Sequence, residues 1–325
     1  MISRRNFMAA AGAAAFAGAV GRLAAQNMNA ALPFKTVLKK ALIAKRFDAA
    51  LAQKLKDAGF PGVELSDKTV TVAEARAARR LAEDSGLVIH SFMGGWFEFN
   101  SKDPDKRKTA IETAKRNIQI TAAYGAPVIL VVPGRIGGID MPKPSQFSLK
   151  FDPRSLDLVN AVEGDNAPFA DYIAAQNDAT KYAREAVEEL IPVAASEGVI
   201  IGLENVWNNL WVKPDFAAAF IRSFASPWVK AYYDIGNHVR YARSEEWLSA
   251  LSDQIVKLHI KDFKIDRAAK NEGTFVRIGD GSIDWKSVRR AIDSIGYSGW
   301  ISIESPGWTD AEHSAIMDRF FAGTL

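Results

Sequence analysis

The sequence of 325 residues contains no cysteine and only four histidines. The absence of cysteine excludes disulfides and thiolate ligands, so any bound metal must use nitrogen and oxygen donors. A glycine-rich phosphate fingerprint is also missing after the first predicted strand, where ALIA runs directly into Lys45-Arg46-Phe47-Asp48. A doubly wound dinucleotide-binding fold would carry glycines at that point, and the sequence therefore argues against that fold.

The sequence also has no excess of basic charge beyond its first 25 residues. The formal net charge is +3, and three arginines of this segment account for it. Arg4 and Arg5 precede Phe7 and an alanine-rich apolar block without an acidic residue, which is typical of a twin-arginine signal peptide. We predict a signal peptide at 1–25, a linker at 26–38, periplasmic export and no membrane anchor after cleavage.

Eight short apolar runs alternate with amphipathic helical segments over residues 39–325. This alternation predicts parallel strands, and eight such units predict a single closed (β/α)8 barrel, an α/β fold. Residues 135–177 interrupt the pattern between the fourth strand and the fourth helix, which we expect to begin at Asp178. An insertion of this length indicates a lid, a binding loop or an oligomer contact.

Four of the predicted strands end in a carboxylate or an imidazole, namely Glu204, Asp234, His259 and Glu304. A charged group at the end of a buried strand is costly unless it is paired or bound to a metal. Because the active sites of eight-stranded barrels lie at the carboxyl ends of the strands, we expect these side chains to meet in one site. Three carboxylates and one imidazole suit Mn²⁺, Mg²⁺, Co²⁺ or Fe²⁺, and less often Zn²⁺.

The motifs GLENVWN, YYDIGNH, KLHIKDF, RIGDGSIDW and ISIESPG follow one another along the chain. Together with the earlier DAGFPGVEL, they resemble the sugar isomerase/epimerase group of the xylose-isomerase-like TIM barrels. The resemblance implies one divalent metal held by the four strand-end residues, and proton transfer beside a carbonyl through an enediolate. It also implies that Glu204 and Glu304 form the acid/base pair, one removing the proton and the other returning it.

Several other residues are candidates for contact with a substrate or for support of the metal ligands. His238 follows Asp234 by four positions, near the offset of three at which the ketose epimerases carry a substrate-binding histidine. Asp262 is a candidate for a carboxylate that fixes a metal ligand, whereas Lys261 is expected to be a solvated charge at the rim. The predicted substrate contacts are His90, His238, Glu64, Trp96 and Trp207, with pairing to Lys68 as the alternative for Glu64.

These observations predict a metal-dependent isomerase or epimerase that acts on an unphosphorylated ketose or keto-sugar. The ketose epimerases carry a second acidic residue a few positions beyond the fifth-strand ligand, but residues 208–210 read Asn-Asn-Leu. Simple 3-epimerisation of a ketohexose is therefore in question. One alternative is a lyase or glycoside-cleaving enzyme for 3-keto-glycosides, which needs the same metal and acid/base pair. A second alternative is a sugar-binding protein without catalysis.

Nucleic-acid chemistry is the other function that this barrel is known to host. The apurinic-site endonucleases of the same fold use three zinc ions, which need more strand-end histidines than this chain offers. The balanced charge beyond the first 25 residues also lacks the basic footprint of a DNA-binding domain. We therefore expect a sugar as the partner and no nucleic acid, and the sequence leaves a homo-oligomer open.

Overall fold

The computed structural model describes residues 34–325, of which Thr36–Leu325 form one compact unit. The predicted signal peptide and most of the predicted linker lie outside the described residues. Eight parallel strands close into a barrel, and an α-helix follows each strand. The predicted single (β/α)8 barrel is therefore confirmed. Among residues 34–325, no helix combines the length and apolar character that a membrane span requires.

The barrel strands are short, and each pairs with its neighbours in chain order until the last closes on the first. Their bounds are β1 (Leu38–Ala44), β2 (Gly62–Leu65), β3 (Val88–Trp96), β4 (Val128–Val132), β5 (Ile200–Glu204), β6 (Val229–Asp234), β7 (Ile255–Ile260) and β8 (Gly299–Ile303). In the register of β6 and β7, Asp234 lies opposite His259. The carboxyl ends of these two strands are therefore level with one another.

The helices pack around the outside of the barrel. Their bounds are α1 (Ala49–Ala58), α2 (Val72–Asp84), α3 (Pro104–Ala123), α4 (Ala170–Glu197), α5 (Pro214–Arg222), α6 (Ser244–Leu251), α7 (Trp285–Ser294) and α8 (Asp310–Phe321). Thr71 opens α2 and Thr309 opens α8, and both form capping boxes with the glutamates three residues later, Glu74 and Glu312. Both boxes follow the sequence pattern that predicts a helix start.

The fourth helix begins at Ala170, eight residues before the expected Asp178. No side chain caps this end, so the local sequence carries no start signal there. Contacts with a distant loop hold the added turns instead. The Tyr172 hydroxyl donates to the carbonyl of Asn209 (3.0 Å), and Gln176 Oε1 accepts from the Trp211 amide (3.2 Å).

The insertion between β4 and α4 contains a small hairpin, formed by Lys150–Phe151 and Leu158–Asn160. A second hairpin, of Asp262–Ile265 and Gly273–Val276, follows β7 directly. Ser145 of the insertion donates to Glu272 Oε1 of this second hairpin (2.5 Å). Because both segments follow barrel strands, they lie together at the carboxyl-terminal end of the barrel.

Candidate metal centre

The four strand-end residues predicted to meet do converge in the structure. Glu204, Asp234, His259 and Glu304 each contribute one atom to a group whose members lie within 4.8 Å of one another. The Nδ1 atom of His259 is 3.7 Å from Glu204 Oε1 and from Glu304 Oε2, and 4.0 Å from Asp234 Oδ2. The barrel register brings these residues together because β5, β6 and β7 end at the same level.

Two atoms of this cluster, His259 Nδ1 and Asp234 Oδ2, are buried and take part in no hydrogen bond among the described residues, although the Lys261 ammonium lies 3.2 Å from Asp234 Oδ2. The other oxygen of Asp234 is satisfied, since it accepts from the amides of Gly236 (2.9 Å) and Asn237 (2.7 Å). Buried polar atoms without partners are costly. Oxygen and nitrogen donors with unsatisfied atoms this close together fit a divalent cation that prefers such ligands.

Beneath the cluster, the fully buried carboxylate of Glu64 fixes the orientation of His259. Its Oε2 atom accepts from His259 Nε2 (2.7 Å), the Tyr232 hydroxyl (2.7 Å) and the Ser302 hydroxyl (2.8 Å). A carboxylate only accepts, so the proton lies on Nε2 and the lone pair of the neutral ring lies on Nδ1, which faces the cluster. A carboxylate behind a ligating histidine is the usual support of a metal site.

The electrostatics of this pair follow from its burial and its neighbours. Burial alone would raise the pKa of Glu64, but the facing His259 lowers it to about 2. Burial likewise disfavours the charged form of His259, yet Glu64, Glu204 and Glu304 outweigh it and hold the His259 pKa well above its ordinary value. A cation that binds at Nδ1 therefore competes with a proton.

Lys261, expected to be a solvated rim charge, is instead buried within the cluster, with 8% of its surface exposed. Its Nζ atom lies 2.6 Å from Glu304 Oε2 and 3.2 Å from Asp234 Oδ2. Burial lowers its pKa, but these two carboxylates reverse the effect and raise the Lys261 pKa above its usual range. The site therefore holds a fixed ammonium group beside two of the four candidate ligands.

Burial raises the pKa of both Glu204 and Asp234, because desolvation disfavours their charged forms.

Asn205 holds the backbone of Asp234 in place through two hydrogen bonds. Its amide oxygen accepts from the Asp234 backbone N–H (2.7 Å), and its amide nitrogen donates to the Asp234 carbonyl (3.0 Å). The ends of β5 and β6 are thereby locked together at the cluster.

Sequence reasoning missed the hydroxyl groups that hold Glu64, although a signal for them was present. Tyr232 and Ser302 each precede a cluster residue, Asp234 and Glu304, by two positions. Successive side chains of a strand point to opposite faces, so residues two apart share a face. Polar residues two positions before a strand-end ligand therefore indicate a polar layer one step deeper in the barrel.

The two histidines predicted to contact substrate are both buried. His90 stacks on Trp300, with ring centres 5.1 Å apart, and its Nε2 atom lies 3.1 Å from the Ser302 hydroxyl. His238 has its Nε2 atom 2.8 Å from the carbonyl of Val206, and burial lowers its pKa to about 3. Both rings thus bind groups of the barrel itself, and contact with a substrate stays a prediction for each.

The two tryptophans predicted to contact a substrate differ in exposure. Trp96, at the end of β3, is 48% exposed, and the guanidinium of Arg135 lies 5.9 Å from its ring centre. Trp207 is partly buried and donates from Nε1 to the carbonyl of Asn237 (2.6 Å). The amide of Asn237 in turn lies 3.4 Å from Glu204 Oε1, which ties Trp207 to the cluster.

Asp262, predicted to fix a metal ligand, ties the start of the hairpin after β7 to the loop that leads into α7. Its Oδ2 atom accepts from the amides of Gly279 (2.8 Å) and Gly281 (3.2 Å) and from Trp285 Nε1 (2.9 Å). Its Oδ1 atom accepts from the amide of Phe263 (2.8 Å). A β-carbon at Gly281 would lie 1.9 Å from Oδ1, which explains the glycine in the motif RIGDGSIDW.

Comparison with known proteins places this geometry among related barrels. The sequence model of a family described as Xylose isomerase-like TIM barrel matches residues 52–318. A Haemophilus influenzae protein provisionally named L-ribulose-5-phosphate 3-epimerase is 26% identical over 260 residues, covering 78% of this chain and 78% of that protein.

Two solved structures share the fold. A D-tagatose 3-epimerase-like protein has a TM-score of 0.67 at 18% identity, covering 88% of this chain and 98% of that protein. The 3-keto-D-glucoside 4-epimerase of E. coli has a TM-score of 0.63 at 17% identity, covering 87% of this chain and 98% of that protein. At these identities, both similarities concern the fold alone.

The hydrogen bonds of Asp262 predict a large loss of stability for Asp262→Ala. Two buried donors, the Phe263 amide and Trp285 Nε1, would lose their acceptor together with two partly buried amides, and we expect the free energy of unfolding to fall by about 3 kcal/mol or more. Asp266→Ala is the matched control, since this exposed residue accepts one bond, from the Ala268 amide, in the same hairpin. Chemical denaturation compares the two variants, and an equal loss for both would contradict the role given to Asp262.

Proposed function

Because the chain belongs to the xylose isomerase-like TIM barrel family, we propose that it is a divalent-metal-dependent isomerase or epimerase of ketoses or keto-sugars. The observation that carries the proposal is the convergence of Glu204, Asp234, His259 and Glu304 within 4.8 Å at the carboxyl end of the barrel. Such a set joins a metal site to two glutamates that can exchange protons with a bound substrate.

The names of similar proteins support this class of reaction. The Haemophilus influenzae relative is named for epimerisation of a sugar phosphate, and both solved structures are named for epimerisation of ketoses or keto-sugars. These reactions share removal and return of a proton beside a carbonyl. The relatives differ in the sugar named, so they support the reaction more strongly than any single substrate.

In the proposed reaction, the chain's own residues move the proton. Glu204 ends β5 and Glu304 directly follows β8, and the Nδ1 atom of His259 lies 3.7 Å from a carboxylate oxygen of each. One glutamate, ionised, accepts the proton from the carbon beside the carbonyl, and the other, protonated, donates its own proton after an enediolate has formed. The raised pKa of Glu204 suits a group that must hold a proton during turnover.

The cluster and its neighbours would also bind the metal and balance the charge around it. The four cluster residues would hold the divalent ion, and when bound it supplies Lewis-acid polarisation of the substrate carbonyl. Glu64 keeps the Nδ1 atom of His259 directed at the cluster. Lys261 provides a positive charge beside Glu304 and Asp234, where negative charge develops on a substrate.

The decisive test is incubation of the protein with free and glycosylated 3-keto sugars in D₂O. We expect deuterium to enter the carbon beside the carbonyl without fragmentation, as observed by NMR. In Glu204→Gln this exchange should fall by about 100-fold or more, because the acid/base group is lost. Glu98→Gln, an exposed glutamate after β3, is the control and should exchange at the normal rate.

Each other result identifies a different function. Release of an aglycone in D₂O would assign the site to the lyase or glycoside-cleaving alternative. Sugar binding without deuterium exchange would support the sugar-binding alternative. Full exchange by Glu204→Gln, or elemental analysis that finds no divalent metal in the active protein, would overturn the proposal.

Glu64→Gln should weaken metal binding without unfolding the barrel. A neutral amide holds the Nε2 proton of His259 less strongly than a carboxylate, and loss of such support typically costs about 10- to 100-fold in metal affinity. Titration with Mn²⁺ followed by EPR measures this change. Glu188→Gln on the exposed face of α4 should retain the original affinity, and an unchanged Kd for Glu64→Gln would contradict the role of Glu64.

Lys261→Met should act on the metal in the opposite direction. It removes a cation that lies 3.2 Å from Asp234 Oδ2, so the same Mn²⁺ titration should give a Kd lower by about 10-fold. Turnover should nevertheless fall by about 100-fold, because negative charge on the substrate loses its neutralising partner. Lys264→Met, in the exposed part of the following hairpin, is the control. Weaker metal binding by Lys261→Met would show that the lysine is only structural.

A further inference from the structure

A cavity of about 410 Å³ lies at the carboxyl-terminal end of the barrel, beside Trp207. Its walls come from the insertion after β4, the loops after β5 and β6, and the hairpin after β7. Four cationic side chains line it, namely Arg135, Lys143, Arg240 and Lys270. Asp140 is the sole carboxylate among the described residues that line it. The cavity is therefore strongly positive.

The central cation of this cavity is Arg240, which is buried with 6% of its surface exposed. Its guanidinium lies 3.7 Å from the ring centre of Trp207. Its terminal nitrogens donate to the Tyr241 hydroxyl (3.0 Å) and the Asn271 carbonyl (3.3 Å), and its Nε has no hydrogen-bond partner among the described residues. All of its hydrogen bonds thus go to neutral acceptors.

The nearby carboxylate that could neutralise this arginine is engaged elsewhere. Glu272 is buried, forms an ion pair with Arg267 and accepts from Ser145. Burial of a guanidinium without a paired anion is costly, and it lowers the pKa of Arg240. An external anion would offset that cost, and the planar fork of arginine suits a carboxylate or a phosphate.

The cavity is also connected to the reactive cluster. Trp207, which carries Arg240 on its face, donates to the carbonyl of Asn237, and the Asn237 side chain lies 3.4 Å from Glu204 Oε1. Two residues therefore separate the arginine from a candidate acid/base glutamate. A substrate held at Arg240 would have to extend past Trp207 to reach the cluster.

We propose that this cavity is the subsite for an anionic group, a carboxylate or a phosphate, of the sugar substrate, and that Arg240 is its principal ligand. The inference rests on the proposed function and adds to it a class of substrate, an acidic keto-sugar. Trp207 holds the guanidinium in place, while Arg135, Lys143 and Lys270 raise the local concentration of anions.

The experiment is calorimetric titration of the full chain with D-glucuronate, D-glucose 6-phosphate and D-glucose at low salt. We expect at least one anionic sugar to bind about 10-fold or more tightly than glucose, and Arg240→Met to abolish that preference. The stronger of the two anions identifies carboxylate or phosphate as the group recognised. Arg243→Met is the matched control, since Arg243 lies in the same loop but pairs with Glu246 outside this cavity.

A second variant tests the inference independently, in case Arg240→Met does not fold. Asp140 is exposed, and Asp140→Asn removes the single carboxylate of the lining, so it should tighten binding of the anionic sugars by about 3-fold and leave glucose unchanged. Equal affinity of the wild type for all three sugars, or anion binding that neither variant alters, would overturn the inference.

The binding measurement is independent of turnover. Glu204→Gln should keep the preference for anionic sugars while it loses deuterium exchange. A wild-type protein that prefers anionic sugars but never exchanges deuterium would refute the proposed function and leave the anionic subsite standing.

Discussion

The buried contact between Glu64 and His259 is the interaction on which the rest of the site depends. A carboxylate without solvent exposure is expensive, and three donors, the His259 ring and the hydroxyls of Tyr232 and Ser302, offset the cost. Those donors come from three different strands, so the contact also sets the relative positions of β6, β7 and β8. Because Nε2 is committed to Glu64, Nδ1 faces the three acidic side chains above it.

Charge is the second constraint on this end of the barrel. Glu204, Asp234 and Glu304 lie so close together that their mutual repulsion requires compensating cations. Lys261 supplies one fixed positive charge, and a divalent ion would supply two more. With both in place these three carboxylates are balanced, and negative charge that develops on a substrate would lie beside cations. The buried lysine therefore belongs to the same electrostatic unit as the ligands.

Sequence patterns predicted the barrel and the four converging residues because both depend on local order. All strands of a parallel barrel end at the same edge, so the position of Glu204 and His259 at strand ends was enough to predict that they meet. The patterns were insufficient where distant contacts decide the outcome. The early start of α4 depends on the loop after β5, and the roles of Lys261 and Asp262 depend on which side of the chain each one faces. These two residues are adjacent at the junction between β7 and the hairpin, yet the Lys261 side chain enters the cluster whereas Asp262 accepts from Trp285 at the start of α7.

In this fold, the residues proposed to select the substrate lie in loops, whereas the residues proposed to carry out the reaction lie at strand ends. The reacting groups stand on strand ends, where the barrel holds them rigidly, whereas the cavity beside Trp207 is built from loops. Trp207, Tyr241 and the Asn271 carbonyl hold the guanidinium of Arg240, and no carboxylate among residues 34–325 forms an ion pair with it, so its charge stays available to a ligand. An anionic group bound there would fix the distance along the sugar from Arg240 to Glu204. The loops would thus determine which carbon of the substrate meets the acid/base pair, while the strand ends would determine what happens to it.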